Sequence, residues 1–195
     1  MRINASETDY QNLNDRIRNT NDDIVIDNCF GERFIGCGAS GKKIIINGTP
    51  GNALGAYMDG ADIIVNGNAQ DAVGDTMNAG RIIIGGDVGD ALGYAMRGGK
   101  IYVKGNSGYR TGIHMKQYKE KCPVIVVGGK TGSFLGEYLA GGTIIVLGIG
   151  NERVPLGNYT GTGMHGGEIW VRSSEEPNNL PEQVSCKLAN KEELK

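Results

Sequence analysis

The chain is poor in the residues that most enzymes use for chemistry. It has two histidines, His114 and His165, and neither has a carboxylate or nucleophile at a useful spacing. A Ser-His-Asp triad or a histidine zinc site therefore has almost nothing to be built from. Its four cysteines, Cys29, Cys37, Cys122 and Cys186, are scattered and form no CxxC pair. That spacing argues against a thiolate metal knuckle and reads as a reduced, cytoplasmic chain. No run approaches the roughly 18 apolar residues of a membrane span. The net charge of −2 gives no basis for nucleic acid or membrane-surface binding. The start, Met1-Arg2-Ile3-Asn4, leads into a polar helical pattern rather than a signal peptide. Aromatics are 6% of the chain, and the body of the sequence lacks the sustained 3.6-residue period of a helix.

What is abundant is glycine, 33 of 195 residues, and it is periodic. Seven apolar triplets superpose: Ile44-Ile45-Ile46, Ile63-Ile64-Val65, Ile82-Ile83-Ile84, Ile101-Tyr102-Val103, Ile125-Val126-Val127, Ile144-Ile145-Val146 and Ile169-Trp170-Val171. They are separated by steps of 19, 19, 19, 24, 19 and 25 residues. Eight residues before the first Ile stands Gly36, Gly55, Gly74, Gly93, Gly136 or Gly161. Gly112 holds that place for the Ile125 triplet, displaced by an insertion of about five residues of the kind solenoids tolerate. Three residues after each glycine comes Ala39, Met58, Met77, Met96, Met115, Leu139 or Met164. A fixed period near 20 residues specifies stacked copies of one unit.

Each unit holds one β-branched strand segment, and Gly, Asn and Asp supply its turns. Successive strands must then lie side by side in parallel. The fold expected is all-β: a right-handed parallel β-helix of about 7–8 coils, ~4.8 Å apart and roughly 40 Å long. Residues 24–172 form the solenoid. Residues 1–23 form an N-terminal helical cap, with Tyr10, Leu13 and Ile17 at helical spacing. Residues 173–195 form a polar tail. Alternation points the first and third triplet residues inward and the middle ones outward. The outward column Ile45, Ile64, Ile83, Tyr102, Val126, Ile145, Trp170 calls for cover, by the tail or by another protein. The glycine column is expected where a coil turns without room for Cβ. The methionine column is expected in the core.

Several stretches imitate chemistry. Gly36-Cys37-Gly38-Ala39-Ser40-Gly41 and Gly161-Thr162-Gly163-Met164-His165-Gly166 match the dinucleotide fingerprint. That motif needs a strand before it and a helix after it, whereas here a strand follows. Gly129-Lys130-Thr131 lacks the earlier glycine of a P-loop. Asp59, Asp62, Asp71, Asp75, Asp87 and Asp90 could pair as acids on a rod face for glycan chemistry, but Arg81, Arg97 and Lys100 in nearby columns suggest ion-pair ladders instead. The insertion is basic and aromatic, and insertions in solenoids project from one face. Arg110, His114, Lys116, Tyr118 and Lys119 from that stretch, Arg153 from a second interruption, and Tyr102 and Trp170 from the outward column are the expected partner contacts. No catalytic, cofactor-binding or metal-binding residue is expected.

The units Gly93-Tyr94-Ala95-Met96-Arg97-Gly98-Gly99-Lys100-Ile101-Tyr102-Val103, Gly136-Glu137-Tyr138-Leu139-Ala140-Gly141-Gly142-Thr143-Ile144-Ile145-Val146 and Gly161-Thr162-Gly163-Met164-His165-Gly166-Gly167-Glu168-Ile169 resemble the GXGXG domain, the C-terminal β-helix domain of the glutamate synthase large subunit. The resemblance covers residues 24–172. It implies a domain that carries no catalytic residue and packs between an amidotransferase and an FMN and iron–sulfur synthase. The cysteine that a class II amidotransferase needs after Met1 is replaced by Arg2, and no FMN barrel is present. The resemblance thus implies a free-standing structural subunit whose partners are a class II glutamine amidotransferase and an FMN-barrel subunit, with FMN and the iron–sulfur cluster held by the partner. Self-association is a further expectation. There are two alternatives. One is a protein similar to the formylmethanofuran dehydrogenase subunit that resembles the same domain. The other is a glycan-active β-helix enzyme.

Overall fold

The computed structural model describes residues 1–150 and 153–193. Among the described residues, nine parallel strands form one sheet in strict chain order. They are β1 (Arg2–Asn4), β2 (Ile24–Phe30), β3 (Lys43–Thr49), β4 (Asp59–Asn66), β5 (Ala79–Ile84), β6 (Lys100–Val103), β7 (Val124–Val127), β8 (Ala140–Val146) and β9 (Gly166–Val171). A short 3-10 turn and the helix α1 (Tyr10–Arg18) separate β1 from β2. The rest is a β-solenoid of about eight turns, as the repeat requires. Ile24, Ile44, Ile63, Ile82, Ile101, Ile125, Ile144 and Ile169 stand opposite one another in unbroken register. On another side of the coils, Ala69, Val88, Ser107 and Thr131 make a second, minimal parallel ladder.

The interior of each coil is built from four inward positions. The first and third triplet residues are buried from β2 to β8. Met58, Met77, Met96, Met115 and Leu139 are fully buried beside them, and Met164 packs against the same core. The residue before each repeat glycine is also buried: Ile35, Leu54, Val73, Leu92, Thr111, Leu135 and Thr160. Five of these seven are aliphatic, a column readable in the sequence but not needed to find the repeat. Thr111 donates to Ser107 Oγ at 2.8 Å and Thr160 to Gly157 O at 3.2 Å, so their hydroxyls are satisfied inside. The middle triplet residues are half-buried, pressed between their neighbours above and below.

The glycine column has a specific steric cause. Each turn carries left-handed backbone at three alternate residues, as in Ala72 (φ 57°), Gly74 (φ 70°) and Thr76 (φ 51°). The two flanking positions hold Ala, Phe, Tyr, Thr, Arg or His in most coils, so positive φ alone does not demand glycine. The middle position faces inward, and a Cβ there would meet the Cδ1 of the isoleucine in the next coil. The separation would be 2.8 Å from Gly36 to Ile63, 2.6 Å from Gly55 to Ile82, 2.4 Å from Gly74 to Ile101, Gly93 to Ile125 and Gly112 to Ile144, and 2.8 Å from Gly136 to Ile169. The isoleucine methyl occupies the volume that the missing Cβ vacates.

The two ends differ from the sequence-based expectation in instructive ways. α1 forms, with Asp9 as N-cap accepting from the Asn12 N–H at 2.8 Å, and Leu13 and Ile17 buried. Tyr10 is instead exposed, with the Arg33 guanidinium 5.4 Å from its ring centroid. Lys42 closes the other end of the helix by donating to Ile17 O and Thr20 O. The cap is more than a helix: β1 adds a strand ahead of it, with Ile3 buried and paired to Ile26. One apolar residue in three, with no repeat glycine, leaves no periodic trace of that strand. At the far end the tail supplies the methyl groups that a next coil would have supplied. Val184 Cγ2 lies 2.9 Å from the Cβ position of Gly161. The tail thus plugs the end of the rod at this point.

Two outcomes follow. Gly74→Ala should destabilise the fold by about 3 kcal/mol, from overpacking plus left-handed strain. Gly38→Ala, with the same φ but nothing within 4 Å of its Cβ position, should cost about 1 kcal/mol. Adding Ile101→Val, which deletes the clashing methyl, should recover part of the Gly74→Ala loss in a denaturant double-mutant cycle. Strictly additive losses would contradict the interlock. Separately, Val184→Asp should speed amide exchange in β9 while leaving β3–β5 unchanged.

Candidate partner-binding face

The left-handed residues that flank the glycines point away from the core, so they line one corner of the rod. In the first coils this corner mixes two aromatics, Phe34 and Tyr57, with the small Ala53, Ala72, Thr76, Ala91 and Ala95. In the last coils it becomes aromatic and cationic. Tyr94 meets the edge of His114 at 5.9 Å, and His114 stacks on Tyr138 at 5.2 Å with planes 5° apart. One column away, the Arg110 guanidinium lies 5.0 Å from the Phe134 ring centroid, and Phe134 stacks on Tyr159 at 5.0 Å. Seven of the eight tyrosines are exposed, where rings add large contact area for little lost freedom.

Tyr94, Arg97, His114, Lys116, Tyr138 and His165 line a shallow groove of about 490 Å³. Both histidines are therefore in one place, a proximity their 51-residue separation does not announce. His165 Nδ1 is within 3.1 Å of Gly163 O, and Arg97 Nε donates to Ala95 O at 3.2 Å. A Cβ on Gly163 would meet the Tyr138 ring at 2.5 Å, so the glycine lets that ring lie flat over the last coil. Beyond Lys116 the insertion folds into a small hairpin, Tyr118 and Lys121 exchanging backbone hydrogen bonds at 3.1 and 3.0 Å. Lys121 tethers it to Asp59 at 3.6 Å, and Lys119 sits 5.3 Å from the Tyr118 ring centroid.

Of the expected contact residues, Arg110, His114 and Lys116 share this corner, and Tyr118 and Lys119 stand on the adjoining hairpin. Tyr102 and Trp170 lie elsewhere, on the outer face of the sheet, opposite Val126 and Ile145 respectively. Arg153 is exposed in a bend beside the undescribed residues 151–152. Tyr94, Arg97, Tyr138 and His165 were missed as members of the groove. Their signal was positional: they sit one, two or four residues from a repeat glycine, on the outward columns of the turn.

The rod's carboxylates are already engaged. Asp71 accepts the N–H of Asp90 at 2.9 Å, and Asp90 that of Tyr109 at 2.8 Å. Asp87 accepts from Asn106 N at 2.7 Å, and Asn68 accepts from Asp87 N at 2.9 Å. Asp75 accepts from Thr76 Oγ1 at 2.8 Å. Each such oxygen ties one coil to the next or closes a turn, the work of a structural carboxylate. The expected ion-pair ladders are correspondingly sparse. Asp62 pairs with Arg81 at 2.9 Å, while Arg97 and Lys100 meet no carboxylate among the described residues. Among those residues, too, no three His, Cys, Asp or Glu side chains come together to hold a metal, so the four thiols do not fit an iron–sulfur cluster. No helix among the described residues is long and apolar enough to cross a membrane.

A parallel β-solenoid with this glycine register defines a class, and the comparisons with known proteins specify it. The chain belongs to the GXGXG motif family, whose sequence model matches residues 4–195; this is the domain type found in glutamate synthase. An uncharacterized protein of Methanocaldococcus jannaschii is 44% identical over a 204-residue alignment that spans 98% of this chain and 78% of the relative.

Thiol reactivity gives an independent check on the coil geometry. Burial, then the neighbouring Glu32, pushes the Cys29 thiol up to about 12, and burial also raises Cys37. Since the thiolate is the reactive form, a mild alkylating reagent near neutral pH should modify exposed Cys122 and Cys186 first. Cys37 should follow slowly, and Cys29 only on unfolding. Rapid modification of Cys29 in the folded protein would contradict the register of β2.

Proposed function

We propose that this chain is a non-catalytic structural subunit of a glutamate synthase-like complex. In this reading it holds a glutamine amidotransferase subunit and an FMN and iron–sulfur synthase subunit at a fixed separation. FMN and the cluster belong to the synthase partner. The observation that carries the reading is the family match over nearly the whole chain. It is supported by the way exposed aromatic and cationic side chains concentrate on one corner of a stiff rod, while the carboxylates serve the coils.

The mechanism is geometric. Nine hydrogen-bonded strands at ~4.8 Å spacing make a rod on the order of 40 Å long. A body whose coils interlock cannot shorten or bend without breaking core contacts. Two subunits docked on it keep a constant distance and orientation, so ammonia released at one active site reaches the other before it escapes to solvent. The rod contributes orientation, which is worth much when a reactive intermediate must be captured.

The test is a reconstitution of the amidotransferase and synthase partners with and without this chain. The readout is glutamine hydrolysed per glutamate formed, together with free ammonia. With the chain present the ratio should approach one; without it, the ratio and the free ammonia should rise several-fold. An unchanged ratio contradicts the proposal. Co-purification with molybdopterin-enzyme subunits instead would move the chain to the formylmethanofuran dehydrogenase reading.

A further inference from the structure

The groove at the aromatic corner has a chemical character that names its occupant more narrowly than the scaffold reading does. Residues 94–130 hold eight basic residues, Arg97, Lys100, Lys104, Arg110, Lys116, Lys119, Lys121 and Lys130, against one acidic residue, Glu120. The remainder of the chain holds 12 basic and 21 acidic residues. The charge is therefore segregated, and the Gly93 and Gly112 coils are strongly positive on a chain that is negative overall.

Inside the groove the cations are available. Arg97 spends only Nε, on Ala95 O, and among the described residues its terminal nitrogens meet no acceptor. No described residue accepts a hydrogen bond from the Lys116 ammonium, and His165 uses only Nδ1. Glu137, next to Tyr138, is held by Arg110 Nε at 3.2 Å and is 15% exposed. The groove thus presents cationic donors over flat aromatic walls, with the adjoining Glu137 carboxylate already engaged.

The rings sit where the backbone makes them expensive. His114 (φ 55°) and Tyr138 (φ 52°) occupy the left-handed position that Gly38 and Gly163 fill in the first and last coils. Packing inside the rod does not demand these rings, because Tyr138 is 47% exposed and His114 is exposed.

We infer that this groove is the docking site for a carboxylate-rich segment of a partner protein. Glu or Asp side chains of the segment would pair with Arg97 and Lys116, and its backbone would lie over the Tyr94, His114 and Tyr138 rings. The inference rests on the scaffold reading, since it supplies one of the contacts by which a partner is held. Charge complementarity commits it to an acidic segment. The chain's acidic pI of about 5.7 and the shortness of the groove disfavour a nucleic acid strand, which would need positive potential along its whole path.

The test uses the full chain and a fluorescein-labelled octapeptide of alternating Glu and Gly, with the alternating Lys and Gly peptide as control. Fluorescence anisotropy should show saturable binding of the Glu peptide alone, weakening as salt is raised. Arg97→Glu with Lys116→Glu should weaken it by about tenfold or more, with the melting temperature unchanged. Absence of saturable binding, or equal affinity in the variant, overturns the inference. So does displacement of the peptide by free glutamate at equal concentration, which would make this a small-anion site. Self-association of the wild type that the same variant abolishes would assign the groove to a second copy. Failure of this inference is separable from failure of the scaffold reading. If the variant restores coupling in the reconstituted complex as well as the wild type does, the scaffold stands and the docking site falls.

Discussion

One contact sets the geometry of this protein: an isoleucine methyl resting on the bare face of a glycine one coil earlier. Gly74 and Ile101, or Gly112 and Ile144, are paired so closely that a Cβ would sit 2.4 Å from the methyl. The contact is repeated down the rod and ends where Val184 of the tail stands in for the missing coil. It fixes the strand register, because a slip of one residue would turn the isoleucines outward and empty the space over the glycines. It also explains which length changes are tolerated. The insertion after Lys116 lengthens the path from Gly112 to its own strand β7 but leaves the Gly112–Ile144 contact intact. Extra residues leave the coil as a hairpin, and the stack continues.

The interlock consumes the inside of each turn and frees its outside. Three alternate residues adopt left-handed backbone, and only the middle one is barred from having a side chain. The flanking two become an outward column whose composition the core does not dictate. Early coils mix Phe34 and Tyr57 with alanine and threonine there; late coils load it with Arg110, His114, Phe134, Tyr138 and Tyr159. Function is in this way separated from stability along the same turn. The rod can change what it presents without disturbing what holds it, as repeat folds generally permit. The Asp and Asn side chains divide likewise: Asn68, Asp71, Asp87 and Asp90 accept backbone N–H groups from the following coil and are thereby removed from the chemistry that a carboxylate-lined face could have offered.

Much of this was legible in the sequence because the physics is periodic. Glycine at one offset, methionine at another and Ile-x-Val at a third require a parallel solenoid, and the observed register follows those offsets residue for residue. What escaped was aperiodic or three-dimensional. The strand β1 has a single apolar residue and no repeat glycine. Tyr10 lies at helical spacing with Leu13 and Ile17, yet faces Arg33 instead of the core, since it is the first residue of α1 and the buried stripe begins a turn later, at Leu13. The groove was hidden because the stacking of coils brings its lining together from distant stretches, and a column of surface residues has no hydropathy signal. The carboxylates were expected to form ion ladders; their short side chains instead reach the backbone of the next coil, where a charge-assisted hydrogen bond is available at closer range.

The most direct measurement of the central contact is methyl NMR on the chain labelled at isoleucine Cδ1. The interlock predicts through-space cross-peaks from the Ile101, Ile125 and Ile144 Cδ1 methyls to the α-protons of Gly74, Gly93 and Gly112 respectively, each one coil earlier. Cross-peaks from those methyls to the glycine of their own coil alone, with none to the preceding one, would contradict it.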